Sequence, residues 1–506
     1  MKKRQEEKTA QDFEAIEERK LYKKQVQFIA RNPDTIEFPK EVLEESENLS
    51  ETIPESEIQK RRDFRGITTS TIDPDTAKDF DDALSVNYLE NGYCEVGIHI
   101  ADVGYYVKEN TALDKEAFKR GTSIYITQTV IPMLPEKISN DLCSLRENED
   151  RLTMSVVVTF NKKHDIKDVW YGQGIIKSNK RFTYTEAHTI IAEQKGLYLK
   201  ELNTLNTIAQ ELLQKRIANG SLLLEDAELE FQYNTAGLPV GVKRKERYET
   251  HHLVEEFMLL ANTEVAKLFK KDISVYRIHG KPDEEKLQDL HKRAQEYMYA
   301  LPKKIDTHVL NAFLANITDE DTKVLFSKLI TKAMAKAVYS SRNIGHYGLG
   351  FKEYTHFTSP IRRYPDLIVH RLLVKKIEQE KQTIDAGAFE ASLVYLSTCE
   401  RHAQDVERAS QKDMQILYMQ QHIGETRIGF VSGIQEYGIY IQDKESLSEG
   451  FIHRKSMGNN WRYNDRKGFW KSKDDVKIRM GDHIEFTVES INFEKGFIDY
   501  SFNKKI

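Results

Sequence analysis

The chain has 506 residues, of which 31% are charged, with a mean hydropathy of -0.60. This length suggests about three domains. No apolar run approaches the roughly 20 residues of a membrane span, and the charged N-terminus lacks the apolar core of a signal peptide. We therefore predict a soluble, cytoplasmic protein. The net charge of -5 argues against a protein that coats nucleic acid indiscriminately, although it permits a local basic channel.

Residues 1–61 are rich in Glu, Lys and Arg and contain helical stretches. They predict one or two polar helices that lead into the body, or act as a lid, because they lack the apolar residues of a separate core. The three cysteines of the whole chain, Cys94, Cys143 and Cys399, show no C-x-x-C spacing. They indicate buried thiols, and neither a disulfide framework nor a zinc site.

The segment from Thr71 to Val86 is the first that carries chemistry. Among its apolar residues lie five carboxylates, those of Asp73, Asp75, Asp79, Asp81 and Asp82. Like charges crowded into a partly buried segment repel one another and lose hydration, so a divalent cation is the usual compensation. Because the segment offers carboxylate oxygens without His or Cys, it favours a hard ion, Mg²⁺ or Mn²⁺.

Two other interpretations of this segment are an EF-hand calcium loop and a plain acidic turn. Asp73 and Asp75 match the first two ligand positions of an EF-hand, but the later positions hold Ala77, Lys78 and Leu84, which cannot complete the loop. An acidic turn would cap a helix or face water. The apolar residues between the carboxylates count against it.

Between residues 65 and 160 the sequence alternates β-branched runs with Gly, Pro and Asn, which predicts a packed sheet. From about residue 184 to 423 the apolar spacing becomes helical. The predicted class is therefore α+β, with helices covering a sheet.

Three further groups bear on chemistry. A Gly-rich turn leads to Thr358, Ser359, Arg362 and Arg363, whose hydroxyls and guanidinium groups suit phosphate binding; surface charge is the alternative. The second group lies on one helix and consists of His251, His252, Glu255 and Glu256. A surface pair at i, i+4 spacing would explain these residues nearly as well as a role at the site. The third is the strand aromatic Tyr125, which could stack on a base or simply pack.

Residues 424–506 read as five short strands with Gly turns, the number that a small OB barrel needs. Its face would combine aromatic and basic side chains, which suit base stacking and phosphate contact. These are Phe430, Tyr437, Tyr440, Phe451 and His453, with Arg454 and Lys455 nearby. For Phe430 and Tyr440, burial in the barrel core is the alternative.

The motifs of the body closely resemble the catalytic domain of the ribonuclease II and ribonuclease R family. They are T-I-D-P-D-T-A-K-D-F-D-D-A-L, G-I-H-I-A-D-V, R-G-T-S-I-Y, V-I-P-M-L-P-E-K-I-S-N-D-L-C-S-L and H-F-T-S-P-I-R-R-Y-P-D-L. The resemblance implies a catalytic domain over 62–423 and an S-one-type OB-fold over 424–506. It also implies a monomeric, Mg²⁺-dependent, processive exoribonuclease that shortens single-stranded RNA from its 3′ end to nucleoside 5′-monophosphates.

The same resemblance implies roles for single residues. Asp73, Asp79, Asp81 and Asp82 match the family's four catalytic aspartates, whereas Asp75 falls outside that set. Arg362 matches the arginine that stabilises the phosphate in the transition state, Tyr125 the aromatic that stacks near the 3′ end, and Glu407 a glutamate at the bottom of the RNA channel. We also expect RNA contacts from Ser359, Arg363, Tyr437, Phe451 and His453. Two metal ions roughly 4 Å apart would clamp the attacking and departing oxygens.

Two departures from the family stand out. The charged segment before Arg62 is too short and too poor in strands for the cold-shock domains that usually precede this catalytic domain. In addition, Leu224 stands where the family has a phenylalanine opposite Tyr125, which predicts a weaker hold on the last nucleotides because aliphatic side chains stack poorly. Two alternatives remain: an inactive RNA-binding homologue, and a metal phosphoesterase that acts on other nucleic acid.

Overall fold

The computed structural model describes residues 37–506 except 127–128, 225–228, 236, 298, 382 and 465–467. The first 36 residues of the predicted helical segment lie outside the described residues. The rest of that segment holds two helices, α1 (Lys40–Glu47) and α2 (Glu55–Ile58). Val42 of α1 is buried, and Glu45 accepts a hydrogen bond from the Leu113 backbone N–H at 3.0 Å, so this part is docked on the body.

In the described part of the chain, thirteen strands precede the C-terminal barrel. They are β1 (Arg62–Asp63), β2 (Thr69–Asp73), β3 (Asp82–Tyr88), β4 (Cys94–Ala101), β5 (Ile124–Ile126), β6 (Thr129–Ile131), β7 (Asp150–Phe160), β8 (Ile166–Lys177), β9 (Lys180–Thr183), β10 (Leu229–Tyr233), β11 (Pro239–Arg244), β12 (Tyr276–Ile278) and β13 (Val338–Ser340). Seven of them form the central sheet in the order β1-β8-β7-β4-β3-β2-β9. The β1–β8 and β2–β9 pairs are parallel and the others antiparallel. The remaining six pair as two-stranded ribbons.

The middle of this sheet is buried on both faces, which explains why β4 reads as a nearly continuous apolar run. His99 is a polar residue within this run and is fully buried. Its Nε2 lies 2.8 Å from Ser85 Oγ, and its Nδ1 lies 2.8 Å from Ser155 Oγ. Burial lowers the pKa of His99 to about 3, so this imidazole is a neutral, hydrogen-bonded member of the core.

Helices cover the sheet and build the other half of the body. After α1 and α2 they are α3 (Val103–Tyr106), α4 (Ala112–Arg120), α5 (Tyr184–Glu193), α6 (Leu199–Ala218), α7 (Glu249–Leu268), α8 (Glu284–Glu296), α9 (Thr307–Ala315), α10 (Glu320–Ala333), α11 (Tyr364–Ile377) and α12 (Ala386–Gln420). A π-helical turn spans Lys137–Leu142. The main core joins the sheet to α5, α6, α7 and α11, whereas α8, α9 and α10 enclose a smaller core of their own. The predicted α+β class is confirmed.

The C-terminal region contains the last eight strands: β14 (Thr426–Gln435), β15 (Gly438–Asp443), β16 (Glu449–His453), β17 (Trp461–Asn464), β18 (Phe469–Ser472), β19 (Lys477–Ile478), β20 (His483–Asn492) and β21 (Phe497–Lys505). Five of them close into a barrel in the order β14-β15-β16-β21-β20, as the five-strand prediction for an OB fold requires. The three-stranded sheet β17-β18-β19, inserted between β16 and β20, was not predicted.

One expectation for the barrel face is wrong: Phe430 is only 2% exposed and belongs to the interior. Phe430 lies on β14, between β15 and β20 of the closed barrel, and its ring takes the core alternative. Tyr440 is partly exposed, as expected for a residue of the barrel face. Its ring lies 4.9 Å from that of Phe451.

The barrel packs directly on the body. Its core continues into the C-terminal end of α12 through Met414, Leu417 and Met419, and into the β10–β11 ribbon through Phe231 and Leu238. Burial of large apolar side chains stabilises such a junction by about 1.5–3 kcal/mol each. The barrel is therefore held in a fixed position at the end of the longest helix.

Two other predictions concern membranes and thiols. Over the described residues, no helix combines the length and apolar character needed to cross a membrane. Cys94 and Cys143 are buried free thiols, and Cys399 is a partly exposed one.

Candidate active site

The aspartate segment lies beside the ends of two adjacent strands of the central sheet. Strand β2 ends at Asp73 and the adjacent strand β3 begins at Asp82, so the loop between them returns to the same edge. Asp79 and Asp81 lie on this loop. The backbone near the end of the loop is fixed on both sides, because the Phe80 carbonyl accepts from Leu145 N–H at 3.0 Å and the Asp81 carbonyl accepts from Ala101 N–H at 2.9 Å.

Arg181, which sequence reasoning missed, holds the other end of the loop. Its Nη2 donates to the carbonyl oxygens of Pro74 at 2.6 Å and Asp75 at 3.1 Å. Arg181 lies on β9, which runs parallel to β2. The sequence does not indicate that a basic residue in a short edge strand will donate hydrogen bonds to a loop more than 100 residues earlier.

Asp81 is the best-placed carboxylate, and it is only 5% exposed. Its Oδ1 accepts a hydrogen bond from the Ile361 backbone N–H at 3.0 Å. Its Oδ2 lies 3.4 Å from Arg362 Nε. Residues 280 positions apart thus meet at one carboxyl group, which joins the aspartate segment to the H-F-T-S-P-I-R-R segment.

The positive charge near the aspartates does not offset the effect of burial on their pKa values. Burial raises the pKa of Asp81 to about 7, and the proximity of Asp79 adds to the effect, although Arg362 opposes it. Burial likewise raises the pKa of Asp73 to about 6. For Asp82, burial and the neighbouring Asp73 and Asp81 raise the pKa well above its ordinary value. Carboxyl groups with raised pKa values in one cluster are typical of a site that is completed by a cation.

The donor atoms fit a hard divalent cation. Asp73 Oδ2 and Asp81 Oδ2 are buried and make no hydrogen bond with any described residue. Buried carboxylate oxygens without partners cost free energy, and a bound cation would remove that cost. Carboxylate oxygens are also the ligands that Mg²⁺ and Mn²⁺ prefer.

A second acidic group has tighter geometry but different surroundings. Asp319, Asp321 and His483 place ligand atoms within 4.8 Å of one another. Asp321 is already neutralised, because it lies 3.3 Å from Arg244 Nη2, 3.4 Å from Lys444 Nζ and 3.3 Å from His483 Nε2. Protein cations do here what a metal ion would do, so this group does not require one.

Arg362 is positioned by a loop that touches both the aspartates and Tyr125. Its guanidinium Nη2 donates to Ser359 Oγ at 3.1 Å. Its backbone carbonyl accepts from Ser123 N–H at 3.0 Å and from Thr122 Oγ1 at 2.9 Å. The side chain is 42% exposed, so the guanidinium can contact a bound anion beside Asp81.

Arg363 has a different environment from its neighbour. Its Nε and Nη2 donate to the two carboxylate oxygens of buried Asp366, at 2.9 and 2.7 Å. Ser359 N–H also donates to Asp366, at 2.9 Å. We therefore propose that Arg363 and Asp366 hold the loop in shape at the start of α11, whereas Arg362 faces the aspartates.

Tyr125 and Glu407 are brought together as a pair. The Tyr125 backbone N–H donates to Glu407 Oε1 at 3.0 Å, which joins β5 to the long helix α12. The Tyr125 ring is 37% exposed, and its hydroxyl lies 3.5 Å from Asp79 Oδ2. The ring is thus an open aromatic surface at the border of the aspartate cluster.

Tyr184 is a second aromatic beside the aspartates, and sequence reasoning missed it. Burial raises its pKa above its ordinary range, and Asp82 and Asp73 add to the effect. Its ring stacks on His251 at 3.9 Å between centroids. The T-x-x-E capping box of Thr183 and Glu186 that starts α5 could have located Tyr184 at a strand-to-helix junction.

The helical group on α7 divides between this site and the core. His251 faces Tyr184, and its Nδ1 accepts from the Tyr248 backbone N–H at 3.0 Å. Glu256 is buried in an ion pair with Arg216, whose Nε lies 3.0 Å from Glu256 Oε1. The structure therefore places His251 at the site and makes Glu256 part of the interior.

The remaining residues singled out from the sequence lie on other elements, one in the body and three on the barrel. Leu224 packs against the small core of α8, α9 and α10. On the barrel, Tyr437 is 51% exposed, and its ring lies 5.5 Å from that of Phe451. His453 is exposed next to them, with its ring 6.1 Å from Phe451. The barrel thus presents a small aromatic group to solvent.

Comparisons with known proteins agree with this arrangement. A model of the RNB domain matches residues 61–379, more than half of the chain. "Ribonuclease R 1" of Lactococcus lactis is 35% identical over 485 residues, which is 92% of this chain and 59% of that protein. The chain thus spans about three fifths of the length of this relative.

Solved structures show the same fold. The chain is similar to a structure described as Mycoplasma genitalium RNase R in complex with ribose methylated single-stranded RNA, with a TM-score of 0.86 and 27% identity over 94% of this chain and 77% of the other. Yeast Ssd1, described as a pseudonuclease, shares the fold at a TM-score of 0.71 and 22% identity, over 83% of this chain and 54% of its own. The fold alone is thus compatible with both activity and its absence.

Proposed function

The chain belongs to the ribonuclease R family of RNB-domain proteins, as its motifs predicted, and on that premise we propose that it is a metal-dependent 3′-to-5′ exoribonuclease. The observation that carries the proposal is the buried, undercompensated aspartate cluster beside Arg362 and Tyr125. A protein that only binds RNA has no use for carboxylates that repel both each other and the phosphate backbone. A phosphodiester hydrolase needs them to hold its metal ions.

Asp73, Asp79, Asp81 and Asp82 would hold Mg²⁺, for which Mn²⁺ can substitute. Bound divalent ions supply the activation of water and the polarisation of the scissile phosphate in such enzymes. Asp81 has a double role in this proposal, because it also contacts Arg362 at 3.4 Å. Until substrate arrives, that contact holds the guanidinium near the position that the phosphate would take.

Arg362 neutralises negative charge on the phosphoryl oxygens. Its guanidinium is partly exposed, always charged and anchored through Ser359 Oγ and its own backbone carbonyl. Fixed donors that already point at the developing charge avoid reorganisation during the reaction. Arg362 is therefore the residue on which charge stabilisation depends.

Tyr125 and Glu407 form the grip on the 3′ end. The exposed ring of Tyr125 offers a stacking surface for a terminal base, and the hydrogen bond to Glu407 keeps its strand on α12. Aromatic stacking contributes about 1–3 kcal/mol per base. The position of the family's phenylalanine is taken by Leu224, which packs against the small core of α8, α9 and α10 and offers no ring, so we propose a weaker hold on the last nucleotides.

The barrel gives a second grip through Tyr437, Phe451 and His453. Their rings form one exposed group, which suits contact with single-stranded RNA. With RNA held at the barrel and at the 3′ end, we propose processive hydrolysis to nucleoside 5′-monophosphates by a monomer.

The decisive experiment is digestion of a 5′-labelled single-stranded RNA with Mg²⁺, next to lanes with EDTA, with single-stranded DNA and with the Asp81→Asn variant. We expect a ladder that shrinks to a short end product, and no ladder with EDTA or Asp81→Asn. Asp75→Asn is the matched control, because it removes an exposed carboxylate of the same loop that lies outside the proposed set. It should digest RNA like the wild type.

The alternative is an inactive RNA-binding homologue, which the likeness to a pseudonuclease fold brings into play. Intact RNA that is nevertheless shifted on a gel would support that alternative and overturn the proposal. Equal digestion of the DNA lane would point instead to a less selective phosphoesterase.

A further inference from the structure

The inserted sheet of the barrel carries an unusual concentration of positive charge. Residues 461–479 contain seven Lys or Arg and three Asp, in a chain whose net charge is -5. The strand register places Arg462 opposite Lys471, and Lys471 opposite Lys477. Directly opposite residues share one face of a sheet at close range. Three cations therefore line up across three neighbouring strands.

The other face of the same sheet fixes its orientation. Trp470 and Ile478 are buried in the barrel core, and Trp461 and Tyr463 pack against it. Trp470 Nε1 also donates to the Gln435 carbonyl at 3.1 Å. Because the aromatic face is tied to the barrel, the cationic face has to point away from it. The sheet is thus a rigid platform.

Little within the protein neutralises this face. Lys471 pairs with Asp475, whereas Arg462, Lys477 and Arg479 form no ion pair with any described residue. Lys477 and Arg479 instead cover Phe469, at 5.7 and 6.0 Å from its ring centroid. Like charges in opposite positions destabilise a sheet, so the arrangement costs stability unless an external anion binds.

We propose that this face, made of Arg462, Lys471, Lys477 and Arg479, binds the sugar-phosphate backbone of the RNA strand outside the catalytic body. The inference rests on the proposed function, which supplies the polyanion. Phe469 is only 9% exposed beneath its two cations, so no ring on this face is free to stack on a base. Cations without an open aromatic ring give contacts that depend on charge and not on sequence.

The face also lies beside the catalytic body. Gly481, in the turn that follows β19, has a left-handed φ of 81° and lies so close to Tyr297 at the end of α8 that a Cβ there would be 2.5 Å from the tyrosine ring. The inserted sheet thus borders the body directly. RNA that reaches the catalytic body can continue over this platform.

The test compares two triple variants in an Asp81→Asn background, in which bound RNA is not consumed. One is Arg462→Gln/Lys471→Gln/Lys477→Gln. The matched control removes the same charge from exposed lysines of the body, outside the inserted sheet: Lys163, Lys167 and Lys195. Binding of a labelled RNA of about 30 nucleotides, longer than the roughly 4–16 that one OB fold covers, is measured by fluorescence anisotropy at several salt concentrations.

The expected result is weaker binding together with a smaller salt dependence. Each lost phosphate contact reduces the slope of log K against log salt by about 0.7 for single strands, so three contacts reduce it by about 2. The same change is expected on single-stranded DNA, because phosphates and not 2′-hydroxyls are read. A slope equal to that of the control triple overturns the proposal, as does a change limited to RNA.

Hydrolysis by the protein with Asp81 intact is measured in parallel and separates the two claims. Suppose that this protein digests RNA, but the Arg462→Gln/Lys471→Gln/Lys477→Gln triple and the control triple have equal slopes of log K against log salt. The inserted sheet then has no role in binding, and the enzymatic proposal stands. Suppose instead that the protein digests no RNA, and that the salt dependence of binding is smaller in the Arg462→Gln/Lys471→Gln/Lys477→Gln triple. The binding surface is then supported, and the proposed enzymatic activity is overturned.

Discussion

Two acidic clusters in this protein have opposite surroundings. Beside the end of β2, Asp81 is buried and Asp73, Asp79 and Asp82 are partly buried, with Arg362 as a close cation. Between α10 and the barrel, Asp321 is also buried, but Arg244, Lys444 and His483 surround it. The first cluster therefore has less compensating positive charge than the second.

The pKa directions express this difference. Burial raises the pKa of Asp81 to about 7, and the nearby Arg362 does not offset this effect. Burial by itself would also raise the pKa of Asp321, but His483, Lys444 and Arg244 together lower it. A buried carboxylate with a lowered pKa stabilises the fold, whereas one with a raised pKa destabilises it and calls for another explanation. Close spacing of acidic groups is thus a poorer guide to a functional site than a missing countercharge.

The largest expected effect is that of Asp82→Asn. We expect hydrolysis of single-stranded RNA to fall by about 10²-fold or more, because a proposed metal ligand is lost. In EDTA the variant should unfold at the same or a higher urea concentration than the wild type, since a repelling buried charge is removed. Digestion assays and urea unfolding check both parts. A variant that keeps full activity would remove Asp82 from the site.

The second prediction concerns pH and separates the clusters by sign. Below about pH 3 the Asp81 carboxyl is largely protonated in both the folded and the unfolded state. As the pH rises toward 7, the unfolded state ionises first, so this group lowers the free energy of unfolding, on the order of 2–4 kcal/mol in total. The measurement is the difference in urea unfolding between wild type and Asp81→Asn in EDTA, at about pH 5 and pH 8.

Asp321 should show the opposite behaviour. Because the pKa of Asp321 is lowered, its stabilising contribution is present above the ordinary pKa of 3.8 and disappears as the pH falls below that value.

For the Asp81 cluster, added Mg²⁺ should stabilise the wild type more at pH 8 than at pH 5, and should do little for Asp81→Asn. A wild-type stability advantage that grows with pH in EDTA would contradict the proposed charge deficit.

The third prediction is Asp321→Asn. We expect the free energy of unfolding to fall by about 1–3 kcal/mol, because Arg244, Lys444 and His483 at the barrel junction lose their common partner. The rate on a short RNA should stay the same, because no catalytic group is altered. Denaturant unfolding and digestion assays measure the two effects. A large loss of rate without a loss of stability would mean that this cluster takes part in the chemistry.

Much of the site could be predicted from local sequence. The aspartates and Arg362 belong to long motifs, and the apolar residues between the carboxylates already indicated burial. The meeting of Asp81 with Ile361 N–H could not be read from spacing, because it depends on how β3 and the loop before α11 pack. Arg181 and Tyr184 were missed because β9 and the start of α5 reach the aspartates only through the pairing of β9 with β2.

The twin arginines show the limit most clearly. Arg362 and Arg363 look equivalent in sequence, but one faces the aspartates and the other is bound to Asp366. Successive residues before a helix point in different directions, and only the fold decides which one reaches the site. The α+β class and the barrel were predictable from periodicity. The inserted strands β17, β18 and β19 were not, because they span only two to four residues each.

The smallest effect is expected for Lys444→Gln. Lys444 contacts Asp321 at 3.4 Å, but its side chain is 58% exposed, and exposed ion pairs contribute about 0–1 kcal/mol. Arg244 and His483 still neutralise the carboxylate when Lys444 is gone, so the free energy of unfolding should change by a few tenths of a kcal/mol. A double-mutant cycle with Asp321→Asn measures the coupling. A loss as large as that of Asp321→Asn itself would mean that one cation, and not the set of three, compensates this cluster.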